Sequence, residues 1–269
     1  MVPEGHTLHR LALDLTQAFG GQVVSVTSPQ GRFAQSAALL DQTRMIEATA
    51  HGKHLFCEFE CDRLLHIHLG LIGSLELGPP SPPRGEVRAR IATEQAVADL
   101  RGPQLCVVRT RTEVAARLSE LGPDPLRADA DPDLAWRRIR RSTRPIAALL
   151  MDQAIVSGVG NVYRAEVLFR NRINPHRPGN KLTRRGWVGI WTDLVELMSH
   201  GVADNRIDTV RPEHTPEAMG RPPRQDDHGG EVYVYRRAGM ACHVCGSKVR
   251  TQLLAGRNLF WCARCQRRG

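Results

Sequence analysis

Leu8, Leu11, Leu15 and Phe19 recur at helical spacing between His6 and Phe19, so the chain starts with an amphipathic helix. From Gln22 to about Val108 the period shortens to two. The runs at 23–26, 55–59 and 64–69 alternate apolar and polar side chains between Gly, Pro and Asp turns, which predicts an antiparallel β body. Residues 78–85, Gly-Pro-Pro-Ser-Pro-Pro-Arg-Gly, can hold neither strand nor helix and predict an exposed loop inside that body. A break at Gly122–Leu126 marks a boundary, beyond which the period is helical, with helices expected over 133–142, 145–156, 161–170 and 184–200. Acids at 129, 131 and 133 invite a calcium reading, but Leu134 and Arg140 stand where such a loop wants Gly and Glu, so these acids are linker and helix-start residues. Residues 211–230 mix Pro, Gly and charge without periodicity, and the expectation is a mobile loop of the kind that often serves as a flap. The expected fold is α+β and multidomain: a β-rich N-terminal domain, 1–121, built as an antiparallel sandwich with an N-terminal helix; a helical domain, 122–230; and a small C-terminal body, 231–269.

Composition narrows the class. With 269 residues and 41% apolar content the chain can bury a sizeable core. No run of about 18 apolar residues occurs, and Glu4 and His6 stand where a signal peptide needs an apolar stretch, so a cytoplasmic location with no membrane contact is expected. A net charge of +9 favours a polyanionic partner, nucleic acid first, although arginine-rich codon usage alone could also raise the charge. Lysine is confined to Lys53, Lys181 and Lys248, so each is conspicuous.

Four of the seven cysteines form two Cys-x-x-Cys pairs, Cys242/Cys245 and Cys262/Cys265, separated by sixteen residues. That spacing fits tetrahedral four-sulfur zinc ligation, with each pair on a tight turn and a β-hairpin between them. A closed thiolate site leaves no position for water, so a single structural Zn2+ is expected. Cys57, Cys61 and Cys106 lie in apolar or alternating stretches and read as buried thiols. Arg257 at the hairpin tip, with Arg250, Arg264, Arg267 and Arg268 nearby, points to phosphate contact. Zinc ribbons also dock proteins, so an adaptor role stays open.

Two further stretches carry chemistry. Gly158-Val159-Gly160-Asn161 allows a tight double turn between helices, with Asn161 placed to cap the second one and its amides facing a phosphate; an ordinary helix connection fits the same residues. Pro3-Glu4-Gly5-His6-Thr7 is unusual unless the terminus is used: a terminal proline is a secondary amine able to condense with an aldehyde, and α-amino groups titrate well below lysine. His51, His54, His66 and His68 are read as packing or hydrogen-bonding residues rather than a second metal site.

Pro3–Thr7, His51-Gly52-Lys53-His54-Leu55-Phe56, His68-Leu69-Gly70-Leu71-Ile72-Gly73-Ser74, the Gly-Val-Gly-Asn turn, and Gly256-Arg257 ahead of Cys262-Ala263-Arg264-Cys265-Gln266 occur in one order. In that order the chain resembles the formamidopyrimidine-DNA glycosylase and endonuclease VIII family over its whole length. It is more similar to the bacterial endonuclease VIII-like branch, since Asp99-Leu100-Arg101-Gly102 lacks the Arg-Arg-Phe with which the other branch fills the gap left by an extruded base.

The resemblance implies a helix-two-turns-helix in the helical domain and a bifunctional DNA glycosylase/AP lyase of base excision repair. It implies Pro3 as the nucleophile on C1′, Glu4 as the acid for the sugar ring oxygen, and Lys53 as an aid to phosphate contact and elimination. Asn161 and Arg257 would clamp the backbone around a flipped nucleotide, and Leu71 would enter the vacated stack. The implied partner is double-stranded DNA carrying oxidised bases, pyrimidines foremost, or abasic sites; single-stranded or branched DNA is also conceivable, and the protein is expected to act as a monomer at the nucleoid. Read without the resemblance, Leu71 fits a core position and Lys53 a surface charge. Val2 stands before Pro3, and a Pro3 amide nitrogen is not a nucleophile, so the chain as written is expected to bind DNA with impaired catalysis. A damage-binding protein that does not cut is therefore the alternative.

Overall fold

The computed structural model describes residues 3–60, 62–225 and 230–267. Val2, Cys61, Arg268 and positions 226–229 of the expected loop lie outside them. The chain divides into a unit that runs to Glu120 and a second unit that begins at Leu121.

In the first unit, α1 (Gly5–Phe19) buries Leu8, Ala12, Leu15 and Phe19, while Leu11 lies at the margin of that stripe. Eight strands follow: β1 (Val23–Thr27), β2 (Thr43–His51), β3 (His54–Phe59), β4 (Arg63–His68), β5 (Ser74–Gly78), β6 (Val87–Ala92), β7 (Val97–Arg101) and β8 (Leu105–Thr110), with a single turn of helix, α2 (Ala34–Ala37), after β1. Their order is β5-β7-β6-β1-β2-β3-β4-β8, every described pair antiparallel. β1 belongs to both halves, pairing with β2 through Val23 and Val24 and with β6 through Ser25 to Thr27. Both halves send side chains into one core, with Leu55, Phe59 and Leu65 from one and Ile91, Ala98 and Leu100 from the other. Removing a Leu or Phe of this kind from water stabilises the fold by roughly 1.5–3 kcal/mol.

β3 is buried on both faces. Leu55, Cys57 and Phe59 face the α1 side, while Phe56 packs with Leu64 under Val114 and Leu118 of α3 (Arg111–Ser119), a helix that the strand pattern did not announce. Its start is nevertheless written locally, because Thr110 and Glu113 form a reciprocal capping box.

The second unit contains α4 (Pro132–Ile139), α5 (Ile146–Leu149), α6 (Asn161–Arg170), α7 (Arg184–Asp204), α8 (Pro216–Met219) and a hairpin, β9 (Arg250–Leu254) and β10 (Arg257–Trp261). The helix expected over 145–156 stops at Leu149, and the reason is Gln153. Its amide donates to the carbonyls of Met151 (3.1 Å) and Val159 (3.0 Å) and accepts from the Gly158 N–H (2.9 Å), so the turns satisfy their backbone through a side chain. Gly122 closes beneath them, where any Cβ would collide with the backbone carbonyl of Ile155.

Residues 211–225, expected to lack regular structure, form a short 3-10 turn and α8. Arg221 ties them down through Glu231 at 2.7 Å, and the Arg224 N–H donates to the same carboxylate at 2.5 Å.

A fully buried carboxylate joins α6 to the approach of the finger. Glu166 Oε2 accepts from Thr209 Oγ1 (2.6 Å) and Tyr233 N (2.7 Å), while Oε1 accepts from Val234 N and Tyr235 N at 2.9 Å each. Arg237, buried nearby, donates to the Tyr233 carbonyl and, at 2.8 Å, to that of Ala241.

Candidate active site and nucleic-acid interface

Pro3 is buried immediately ahead of α1. Glu4 is the helix N-cap, in extended conformation, yet its side chain makes no capping bond and the residue is only 1% exposed. A carboxylate at that position would ordinarily accept from the first turn of the helix; here it makes no such bond. α1 packs on β2 and β3, and the two-residue turn joining those strands is Gly52-Lys53. Gly52 takes a φ of 58°, which glycine adopts without steric penalty, and Lys53 sits half-buried at the tip.

Beside Lys53 lies a row of imidazoles on the face of β3 and β4 that α3 covers. Arg109 Nε donates to His66 Nδ1 at 3.1 Å, and His66 Nε2 lies 2.8 Å from His54 Nδ1. A guanidinium only donates, so His66 carries its proton on Nε2 and donates that N–H in a hydrogen bond to His54 Nδ1, which leaves His54 with its own proton on Nε2. Burial, together with neighbouring charge, pushes His54 and His66 down to about 3. His68, 4.9 Å from His54 between ring centres, accepts the Gly70 N–H on Nδ1 at 3.1 Å. It too is lowered, by burial first and then by the Lys53 ammonium, which puts Lys53 within electrostatic reach of it. These histidines are thus hydrogen-bonded packing residues, as their strand positions suggested. Arg109 could not be identified as the anchor of the row from its neighbours in the chain, because only strand pairing brings it opposite Leu64 and beside His66.

The turn after β4 exposes two apolar side chains. Leu71 is 51% and Ile72 89% exposed, so the core reading of Leu71 does not hold. Ile72, the more exposed of the pair, was missed; its signal was an apolar residue between two glycines of a tight turn. On β7, Asp99 is buried in ion pairs with Arg90 (2.6 Å) and Arg101 (2.9 Å).

In the second unit Asn161 is the first residue of α6, and Gly160, not Asn161, is the cap. The Asn161 side chain faces the finger instead. Its Nδ2 donates to the Asn258 carbonyl at 3.0 Å, and its Oδ1 accepts from the buried Arg164, which also reaches Asn258 O at 3.3 Å. The next residue back along β10 is the exposed Arg257, so the two residues expected to clamp DNA stand beside each other. The hairpin tip that presents Arg257 is Ala255-Gly256, both at positive φ, as a tight two-residue connection requires.

Cys242, Cys245, Cys262 and Cys265 bring their sulfurs within 4.8 Å of one another, with Sγ pairs at 3.9 and 3.4 Å. A tetrahedron of Zn–S bonds has edges of about 3.8 Å, so the donor set suits zinc. Gln266 fastens this base to the helices: it accepts the Cys262 N–H and donates to Ile173 O, both at 2.9 Å, and its carbonyl accepts from Asn174 at 3.2 Å. Cys57 and Cys106, elsewhere in the chain, are pushed up by burial to about 12 and stay thiols.

Two family models match: the formamidopyrimidine-DNA glycosylase N-terminal domain over residues 2–112 and its H2TH domain over 121–211. Endonuclease 8 1 of Mycobacterium tuberculosis is 49% identical over 271 residues, covering 98% of this chain and all of that protein. Among solved structures, the MutM (Fpg) protein of Thermus thermophilus matches with a TM-score of 0.76 at 28% identity, over 98% of each chain. The Lactococcus lactis Fpg in complex with abasic-site DNA shares the fold with a TM-score of 0.80 at 22% identity, over 98% of this chain and 100% of that one. With both models matched in order and a relative this similar along its full length, the chain belongs to the formamidopyrimidine-DNA glycosylase and endonuclease VIII family.

Proposed function

We propose that this protein is a bifunctional DNA glycosylase/AP lyase of base excision repair that removes oxidised bases, pyrimidines foremost, from double-stranded DNA. The Pro3 nitrogen attacks C1′, the glycosidic bond breaks, and an iminium forms; loss of a C2′ proton then expels the 3′ phosphate, and a second elimination expels the 5′ phosphate. Glu4 supplies the proton for the ring oxygen, and Lys53 contacts the phosphate beside the lesion. Asn161 and Arg257 hold the backbone, Leu71 enters the stack where the base has left it, and one structural zinc holds the hairpin that carries Arg257. Extruding a damaged base requires a few kcal/mol, which an apolar wedge and an arginine at the gap offset.

The observation that carries this reading is Glu4, a buried carboxylate adjoining Pro3 and withheld from the helix cap. The pyrimidine preference follows from the resemblance to the endonuclease VIII-like branch, which the 49% identity to a protein named Endonuclease 8 1 supports.

Pro3 acquires a nucleophilic lone pair only as a free terminus, so removal of Met1 and Val2 is part of the proposal. Borohydride trapping on an abasic duplex, with the terminus read by mass spectrometry, tests it. Protein beginning at Pro3 forms a covalent complex, and protein retaining Val2 binds without trapping; Glu4→Gln lowers base excision by about 10²–10⁴-fold. Equal trapping with Val2 attached sinks Pro3 as the nucleophile. Absence of trapping from the processed form favours a damage-binding protein that does not cut, the reading to which Val2 lends weight.

A further inference from the structure

Asn161 and Asn258 meet at the start of α6, and the contact has a third member. In a hairpin closed by two residues, the pair flanking the turn, here Leu254 and Arg257, exchanges the ladder bonds. The next pair, Leu253 and Asn258, therefore turns its carbonyls away from the ladder. The Asn258 carbonyl is left for the helix, and it accepts from Asn161 Nδ2 at 3.0 Å. Arg164 lies three residues along α6 and so neighbours Asn161 on the helix surface. It is 0% exposed, and its Nη2 donates both to Asn161 Oδ1 and, at 3.3 Å, to the Asn258 carbonyl.

These contacts fix which way round the Asn161 amide sits. A guanidinium only donates and a backbone carbonyl only accepts. Turned end for end, the amide would set its NH2 against Arg164 and its oxygen against the Asn258 carbonyl, donor facing donor and acceptor facing acceptor. In the orientation observed, the oxygen is held by Arg164 and one Nδ2 hydrogen is given to Asn258. The second Nδ2 hydrogen is what the side chain has left to offer an anion, and the exposed Arg257 adjoins it through Asn258.

We propose that Arg164 is a positioning residue for DNA binding: without touching the nucleic acid, it makes Asn161 present a donor, and not an oxygen, to a backbone phosphate. The proposal rests on the reading of Asn161 and Arg257 as a phosphate clamp. Phosphate oxygens accept hydrogen bonds and donate none, so an amide free to turn would meet them oxygen first for part of the time, and that encounter is repulsive. The same guanidinium ties the start of α6 to the strand that carries Arg257, so the two clamp residues keep one spacing. Complete burial suits this task, because a side chain closed off from solvent has no phosphate of its own to bind and acts through the residue it holds.

The test compares Arg164→Met and Arg164→Lys in the full chain. Affinity is read by anisotropy on a duplex carrying an uncleavable abasic analogue, with thermal melting and zinc content measured on the same samples. Methionine is of similar length and brings no charge to bury, whereas lysine keeps a donor for Asn161 Oδ1 but must bury an ammonium. Stability and affinity should therefore rank the two variants in opposite order. Arg164→Met melts at or above Arg164→Lys, yet binds the duplex on the order of tenfold more weakly than wild type, while Arg164→Lys stays within about threefold. Asn161→Ala weakens binding to a similar extent, and adding Arg164→Met to it brings no further loss, because the first substitution has removed the group through which the second acts. Affinities that follow the melting temperatures, with Arg164→Met the tighter binder, would make Arg164 a packing residue and overturn the proposal. Losses that add up in the double variant overturn it as well. Asn161→Ala binding as wild type does would instead overturn the clamp reading on which the proposal stands.

Discussion

Glu166→Gln replaces one oxygen of a buried carboxylate whose two oxygens accept four hydrogen bonds. One Glu166 oxygen serves Thr209 and Tyr233, and the other serves Val234 and Tyr235. Whichever position the new amide nitrogen takes, it meets at least one backbone N–H head-on, donor against donor, in a buried site. A hydrogen bond to a charged acceptor contributes about 1.5–3 kcal/mol, and a buried donor left without a partner costs about 1–3 kcal/mol. Two bonds at one oxygen are affected, Thr209 can turn to the Glu231 carbonyl at 3.3 Å, and Arg237 loses its nearby counter-charge. The expected loss is therefore about 3–5 kcal/mol, in line with breaking a buried charged pair. For a unit of this size that corresponds to a Tm lower by roughly 6–20 °C. All four tryptophans, Trp136, Trp187, Trp191 and Trp261, belong to the second unit, so their fluorescence during urea unfolding follows that unit. Thr209→Val, which removes one bond, sets the scale at about 1–2 kcal/mol. A Glu166→Gln loss no larger than that of Thr209→Val would refute the reasoning.

Acid should weaken the first unit well before it protonates the carboxylates. His54 and His66 are held down to about 3 and His6 to about 4, chiefly by burial, against an ordinary value of 6.5. The unfolded chain therefore binds protons that the folded one refuses; stability is complete above pH 6.5 and falls as pH drops toward 4, by up to about 1.4 kcal/mol per pH unit for each group. Amide hydrogen exchange in β3 and β4 at pH 7 and pH 5 reads this, and equal protection at both contradicts it. Chelation should release one zinc per chain, expose four thiols and abolish binding to abasic DNA, measured by metal-indicator absorbance alongside anisotropy; stripped protein that binds undiminished removes the finger from the DNA contact.

The four-cysteine cluster was legible because two Cys-x-x-Cys pairs at that separation rarely arise by chance, and α1 and α6 because their apolar periods run unbroken to their ends. Where side chains compete with the backbone, legibility failed. The apolar pattern continues past Leu149, but Gln153 captures the turns there and ends the helix. α3 escaped because its sequence is mostly polar and its buried contact rests on Val114, with Leu118 partly covered, although the Thr110 and Glu113 box announced its start. Around the finger, position along the chain hid position in space: Arg257 and Arg264 are seven residues apart, yet the length of β10 separates them.

The Arg109–His66–His54 row has a consequence for proton traffic. A wire that moves protons must be able to reverse the sense of every link, as a water file does. This one is pinned at its head by a group that never surrenders its hydrogen, so both rings keep one polarity throughout any reaction. The row is an insulator: it holds the imidazoles beside the Lys53 turn in fixed orientation and relays no proton along the face that α3 covers.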